Sequence, residues 1–194
     1  EAFSIQIPER IKKELPELAP YCADYRPIRE AFVESLIWRD PKAITDATLN
    51  YVNKHIIRYE DTYEQFLNAL LTVASNPDHP FNADFLHNNL MKFELAERDA
   101  RWSIFLHYQY GKQGAVDRLV DWAWSPEDKS HINDESIRLC AIALAWFLTT
   151  SNRYLRDRAT KALVSLLTKR IHVLRQVIRK FLKVNDPYVL ERLF

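Results

Sequence analysis

Hydrophobic residues recur along this chain at intervals of three and four positions, with charged residues filling the positions between them. This spacing is typical of amphipathic α-helices. It predicts helices near 8–15, 27–38, 41–55, 61–75, 81–91, 94–110, 115–124, 133–150, 152–168, 170–183 and from 187 to the end. No segment alternates apolar and polar residues as a half-buried strand does. The pattern therefore predicts an all-α fold.

Three prolines each follow a residue that commonly caps a helix. The pairs are Asp40-Pro41, Ser125-Pro126 and Asp186-Pro187. Proline is tolerated at the first helical position, since the N–H that it lacks has no partner there. Each pair therefore predicts a helix start.

A spacing pattern near the end of the chain predicts how the helices pack. Leu155-Arg156 is followed by Ala159, Ala162, Leu163 and Leu166 on one predicted helix, and a looser copy starts at Ile137-Arg138. Small residues let one helix lie close against its neighbour, and larger ones fill the groove between them. The segment 152–160 also aligns with 186–194 at an offset of thirty-four residues. Offsets of this size are typical of solenoids, so we expect antiparallel helical pairs stacked as an irregular α-solenoid.

The same pattern predicts two parts, an irregular helical part at 1–130 and helical repeats at 131–194 that continue from it. The chain starts at Glu1 rather than methionine, and its last helix carries Leu190, Leu193 and Phe194 without a polar capping repeat. Solenoids need polar terminal caps to stay soluble. We therefore expect a piece of a longer protein, truncated at both ends, whose last helix exposes an apolar edge or forms a homodimer.

Composition narrows the class of protein further. The 194 residues are 47% hydrophobic and 27% charged, which is ordinary for a globular chain and excludes disorder. Only two glycines occur, so most glycine-rich phosphate-binding loops are excluded. No apolar run could cross a bilayer, and the first residues do not resemble a secretion signal. Cys22 and Cys140 lie among apolar neighbours, as buried reduced thiols do. These features predict a cytoplasmic protein.

Charge is distributed unevenly along the chain. Residues 1–150 contain 16 basic and 23 acidic side chains, a net −7, whereas residues 151–194 contain 11 basic and 3 acidic ones, a net +8. A basic amphipathic helix at 169–183 accounts for much of this, with Ile171, Leu174, Ile178 and Phe181 predicted as its apolar face. Such a helix can bind phosphates, an acidic partner or a membrane surface. It can equally be a solenoid helix whose outer face is solvated or meets the acidic N-terminal half of another module. The candidate contact residues are Arg170, Arg175, Arg179, Lys180 and Lys183.

Other residues could be taken for catalytic or metal-binding groups, but each has a simpler structural explanation. Glu94 with Arg98, and Glu97 with Arg101, are spaced as i,i+4 ion pairs on a solvated face. Asp84 and His87 share a predicted helix face, but no further ligand completes a metal site. The segment 110–114 lacks the Gly-Lys-Ser/Thr ending of a phosphate loop and is interpreted as a turn. We predict no catalytic, cofactor or metal site.

The residues also resemble known families. The Leu155-Arg156-x-x-Ala159-x-x-Ala162-Leu163 spacing resembles the second helix of a HEAT or armadillo-like repeat. Three strings resemble the helical region of large bacterial NACHT-type STAND NTPases, the NLR-like proteins of anti-phage defence: 96–102, 115–119 and 155–164. The resemblance implies a helical region that senses a ligand or relays a signal between an NTPase core and an effector. This chain has no Walker-type loop, so it would be the helical part alone.

These observations together predict a non-enzymatic helical-repeat scaffold module of a larger multidomain protein. Its partner would be another protein or flanking domains of the same chain, with no cofactor and no membrane contact. The alternative is a nucleic-acid-binding helical-repeat module that uses the basic C-terminal helices. A helical-repeat DNA glycosylase would need an acidic residue in a basic, aromatic-lined cleft. Asp157 is the only acidic residue between 151 and 185, and the resemblance makes it part of a repeat.

Overall fold

A computed structural model describes residues 26–193, and helices account for the regular structure within them. The helices are α1 (Arg26–Trp38), α2 (Asp46–Tyr51), α3 (Glu60–Val73), α4 (Ala83–Leu90), α5 (Leu95–Arg98), α6 (Ile104–Gln109), α7 (Ala115–Trp124), α8 (Asp134–Phe147), α9 (Arg153–Leu167), α10 (Ile171–Phe181) and α11 (Pro187–Leu193). A 3₁₀ turn lies at Pro41–Ala43, and π-helical turns lie at Val52–Ile56 and Asp99–Ser103. Residues 26–193 contain no strand, which confirms the all-α prediction.

Two sequence predictions of helix starts and extents are wrong. The helix expected over 41–55 is instead a 3₁₀ turn followed by α2 and its π-helical extension. Ser125-Pro126 does not start a helix, because Ser125 ends α7 and its hydroxyl donates to the carbonyl of Trp122 at 2.9 Å. The Asp186-Pro187 pair does start α11, where the Asp186 carboxylate accepts from the amide of Tyr188 at 3.1 Å. The helix predicted at 8–15 lies outside the described residues.

The chain divides into two compact units between Leu70 and Leu71, within α3. In the described part of the first unit, α1 contacts the π-helical turn at Val52–Ile56. Phe32, Val52 and Ile56 are buried there. The ring of Phe32 lies 4.5 Å from that of Tyr51. The domain boundary predicted at residue 130 lies inside the second unit, and the separation of 131–194 from 1–130 stays a prediction.

Helix α8 forms the centre of the second unit. Every residue from Leu139 to Phe147 is buried, because α8 contacts α4, α7, α9, α10 and α11. A helix that is apolar on all sides needs such a position. Its free thiol, Cys140, is fully enclosed, and burial raises the pKa of that thiol to about 12. Cys22 lies outside the described residues.

The π-helical turn between α5 and α6 directs polar side chains onto the C-terminal end of α8. Trp102 is fully buried, and its Nε1 donates to the carbonyl of Trp146 at 2.9 Å. The hydroxyl of Thr149 donates to the same carbonyl at 2.8 Å. The last carbonyls of a helix lack partners within it, so these bonds satisfy one of them.

The small residues of the C-terminal repeat pattern lie in a close helix contact, as predicted. Ala159 and Ala162 are completely buried on α9, which packs between α7 and α8. Asn152 caps α9 by accepting from the amides of Tyr154 and Leu155 at 3.1 and 3.3 Å. In a solenoid each repeat contacts only its neighbours, whereas α8 also contacts α4, far upstream in the chain. The solenoid arrangement therefore stays a prediction.

Candidate interaction surface

Helix α10 carries the basic stretch identified in the sequence, but a different face of it is buried. Val173, Val177 and Phe181 are buried against the unit, whereas Ile171, expected in the core, is 60% exposed. The stretch has apolar residues on about half of its circumference. Periodicity alone therefore could not identify which of them meet α8.

Two of the five predicted contact residues, Arg170 and Lys180, hold α10 in place. Arg170 donates through Nη2 to the carbonyl of Lys129 at 2.5 Å, and its Nε lies 3.5 Å from Asp134 Oδ1. Lys180 Nζ lies 2.8 Å from Asp84 Oδ1. Both side chains make contacts within the chain. A partner could bind them, as the sequence predicts, only if these contacts were broken.

Lys180 belongs to a cluster of charges that joins α4, α8 and α10. The Arg138 guanidinium donates to both carboxylate oxygens of Asp84, at 3.1 and 2.6 Å, and also to Glu135. Burial by itself raises the pKa of Asp84, but hydrogen bonds from Arg138 and Lys180 outweigh this and lower it to about 2. Asp84 therefore stays ionised and fixes three helices to one another.

His87 lies beside this cluster within an aromatic group. Its Nδ1 accepts from Nε1 of Trp146 at 3.2 Å, and its ring lies 5.1 Å from that of Phe181. Burial first, and the charge of Lys180 second, lower the pKa of His87 to about 4, although Asp84 opposes this. The side chain is therefore neutral at pH 7. His87 packs between Trp146 and Phe181, and residues 26–193 contain no group of three or more His, Cys, Asp or Glu side chains that could hold a metal ion.

The remaining three predicted contact residues, Arg175, Arg179 and Lys183, are exposed. Arg175 and Arg179 lie one turn apart on the outside of α10, and Lys183 lies four residues further on, in the turn that follows Phe181; we call these three residues the basic row. None makes a hydrogen bond or ion pair within the part of the chain that the structure describes. The structure thus separates the five candidates into two that anchor the helix and three that face solvent.

Sequence reasoning missed the role of Arg98. It was predicted on a solvated face beside Glu94, but it is 2% exposed, and its Nη2 lies 3.5 Å from Asp186 Oδ2 and 3.2 Å from the carbonyl of Asn185. The prediction of a solvated Arg98 is therefore wrong. The sequence pattern could not reveal its partner, since Asp186 lies 88 residues further along the chain and reaches α5 only in the folded protein. The companion pair, Glu97 with Arg101, is confirmed at 3.4 Å on the surface.

The turn at 110–114 satisfies its own amides. The Asp117 carboxylate accepts from the amide of Gly111 at 3.0 Å and from that of Gln113 at 2.8 Å. Gly111 and Gln113 both have positive φ, at 87° and 56°. The Asp117 carboxylate therefore satisfies amides of the segment, and the segment is a turn, as interpreted from the sequence.

A shallow apolar groove lies between α9 and the pair α10 and α11. Its volume is about 300 Å³. Its lining residues are Thr160, Leu163, Val164, Leu167, Thr168, Leu174, Arg192 and Leu193. Val164 is 65% exposed, which is unusual for a valine in the middle of a packed helix. We call this feature the α9–α10 groove.

Comparisons of this chain with protein-family models, with curated proteins and with solved structures found no match. Within residues 26–193, no helix has the length and apolar character needed to cross a membrane.

Proposed function

We propose that this chain is a non-enzymatic helical interaction module of a larger multidomain protein. Its contact surface is the basic row, and its partner is an acidic protein surface, either on another chain or on flanking domains. The exposure of Arg175, Arg179 and Lys183 without internal partners carries this proposal. Arg170 and Lys180 already pair with carboxylates of the chain, so they are less available to a partner.

The mounting of α10 supports a relay role. Lys180 and Arg138 both contact Asp84, so α10, α4 and α8 meet at one carboxylate. A partner that displaces α10 would therefore also displace Asp84, and through Arg138 the central helix α8. A signal-relay role of the kind implied by the resemblance to NACHT-type STAND NTPases, within a HEAT-like solenoid, is part of this proposal.

Nucleic-acid binding is the second candidate, favoured by one observation. Exposed basic residues continue from the basic row onto α9 and the turn before α10, including Arg153, Lys161 and Lys169. Asp157, the only acidic residue of this segment, is paired with Arg153 and Arg192. A phosphate backbone would meet little repulsion here.

A charge-reversal experiment tests both candidates. The variant carries Arg175→Glu, Arg179→Glu and Lys183→Glu, and the probes are poly-glutamate and short duplexes of DNA and RNA across a salt series. The matched control reverses three other exposed lysines with the same change of net charge: Lys54→Glu, Lys92→Glu and Lys112→Glu.

Under the protein-partner proposal, wild type and control bind poly-glutamate at low salt and the basic-row variant does not. Under the second candidate, duplexes bind instead, and the slope of log K against log salt falls by up to about 3 in the basic-row variant, one phosphate per lost cation. Equal behaviour of the basic-row variant and the control with every probe would refute both candidates.

A further inference from the structure

An apolar stripe runs along α10 beside the basic row. Ile171, Leu174, Ile178 and Leu182 are spaced by three, four and four residues, so they share one side of the helix. Ile171 is 60% exposed and Leu182 is 57% exposed, while Leu174 and Ile178 are half-buried. The stripe is therefore a surface feature of the described structure, not part of its core.

This stripe continues into the α9–α10 groove. Leu174 belongs both to the stripe and to the groove, where it faces Val164 and Leu167 of α9. Val164 is 65% exposed, so the groove is open along the α9 side as well. Apolar surface on two neighbouring helices thus forms one continuous area, and exposed apolar areas of this kind mark interaction sites.

The charges around this area are mostly positive, and between Arg153 and Leu193 the acidic side chains that are not buried are Asp157 and Glu191. Arg175 and Arg179 each follow a stripe residue by one position, so the basic row borders the stripe on the side away from α9. Lys161 lies one helical turn before Val164 on the side of α9 that faces α7; it is exposed, and its Nζ lies 5.1 Å from the ring centre of Trp124. The one carboxylate of α9, Asp157, is paired with Arg153 and Arg192. An apolar floor between two basic borders complements a helix that is apolar on one face and acidic on its flanks.

We propose that the stripe and the α9–α10 groove bind an acidic amphipathic helix of a protein partner. Its apolar face would lie on Ile171, Leu174 and Val164, as in other helix-in-groove complexes, and its acidic flanks would meet Arg175, Arg179 and Lys161. This rests on the proposed function, since it uses the basic row, and it adds the class of partner. An apolar floor gives a nucleic-acid backbone nothing to bind, so the groove favours a protein.

The test uses two peptides of about 18 residues, long enough for helix formation on binding. One has leucines at i, i+3, i+4 and i+7 with glutamates on the flanks, and the other has the same composition in scrambled order. The groove variant carries Val164→Gln, Ile171→Gln and Leu182→Gln, all at exposed positions where folding is not at risk. Its matched control carries Leu95→Gln, Ile104→Gln and Tyr108→Gln, which are exposed apolar residues elsewhere in the unit.

We expect the ordered peptide to bind the wild-type chain at least about tenfold more tightly than the scrambled one, a difference typical of interface anchors. The groove variant and the charge-reversed basic-row variant should each bind the ordered peptide about tenfold more weakly than the wild type. The control with Leu95→Gln, Ile104→Gln and Tyr108→Gln should bind it as the wild type does. Circular dichroism on each variant checks that its helix content is that of the wild type.

Other outcomes overturn the inference in distinguishable ways. Equal binding of both peptides, lost only in the basic-row variant, would leave the proposed function standing without the groove. Binding lost only in the groove variant would remove the acidic partner and the proposed function together. Binding of anionic lipid vesicles or of duplex RNA in place of the ordered peptide would assign the surface to another partner. Self-association in sedimentation, abolished by the groove variant, would assign it to a second copy of the chain.

Discussion

Removing one member of the buried Arg98–Asp186 pair should destabilise the second unit strongly. The two side chains are 2% and 3% exposed, so either one left alone would be a charge in a nearly dry environment. Breaking a buried pair in this way costs about 3–5 kcal/mol. Asp186→Asn keeps an acceptor for the amide of Tyr188 and removes mainly the charge. Arg98→Met keeps an unbranched apolar stem but removes both the charge and the hydrogen bond to the carbonyl of Asn185.

The double variant should be more stable than either single one. With both charges removed, no uncompensated charge stays buried, and replacement of whole buried pairs is often close to neutral. The two single losses sum to about 6–10 kcal/mol, whereas we expect about 3 kcal/mol or less for the double variant. The coupling energy between the residues should therefore be at least about 3 kcal/mol.

Urea unfolding followed by tryptophan fluorescence and far-UV circular dichroism measures these free energies. Four of the five tryptophans lie beyond Leu71, so the fluorescence reports mainly on the second unit. The control cycle uses Glu97→Gln and Arg101→Met, an exposed pair at 3.4 Å whose coupling should be about 0.3–0.5 kcal/mol. Two single variants within about 1 kcal/mol of wild type, and additive in the double variant, would refute the importance assigned to the buried pair.

Two further predictions concern stability. His87 has a pKa of about 4 in the folded chain and an ordinary value near 6.5 when unfolded, so its contribution is complete above pH 6.5 and falls by up to about 3 kcal/mol as the pH drops to 4. His87→Asn, which keeps an acceptor for Trp146, should flatten the pH profile of urea midpoints in that range, and an unchanged profile would contradict this. Ala159→Glu and Ala162→Glu place a charge in the tight contact of α9 and should cost more than about 4 kcal/mol. The variant Ser165→Glu, at an exposed position of the same helix, should have the melting temperature of the wild type. Equal melting temperatures of all three variants would show that Ala159 and Ala162 do not lie in a tight helix contact.

Helix content and several helix ends follow directly from local patterns in the sequence. Asn133, Asn152 and Asp186 accept from amides two or three residues away, so the information that places these helix starts is contained in the segment itself. The same applies to Ala159 and Ala162, since their small size at a fixed spacing is visible before folding.

The partners of charged residues do not follow from local patterns. Arg98 has a suitable acid four residues earlier, yet it pairs with Asp186, and Lys180 pairs with Asp84 on a distant helix. Each of these pairs joins residues that are about 90 residues apart, and burial increases their strength only after the chain has folded. Spacing in the sequence cannot reveal such a choice.

The face of α10 that meets solvent depended on tertiary packing in the same way. Seven apolar residues between 171 and 182 allow several orientations of the helix, and the predicted core position Ile171 is exposed while Val173 is buried. The contacts with α8 and the anchors at Arg170 and Lys180 select one of them. The sequence therefore established the helices, their charge and the basic stretch, whereas the packing around α8 decided which three cations and which apolar stripe face solvent, because burial is a property of the assembled helices rather than of any one of them.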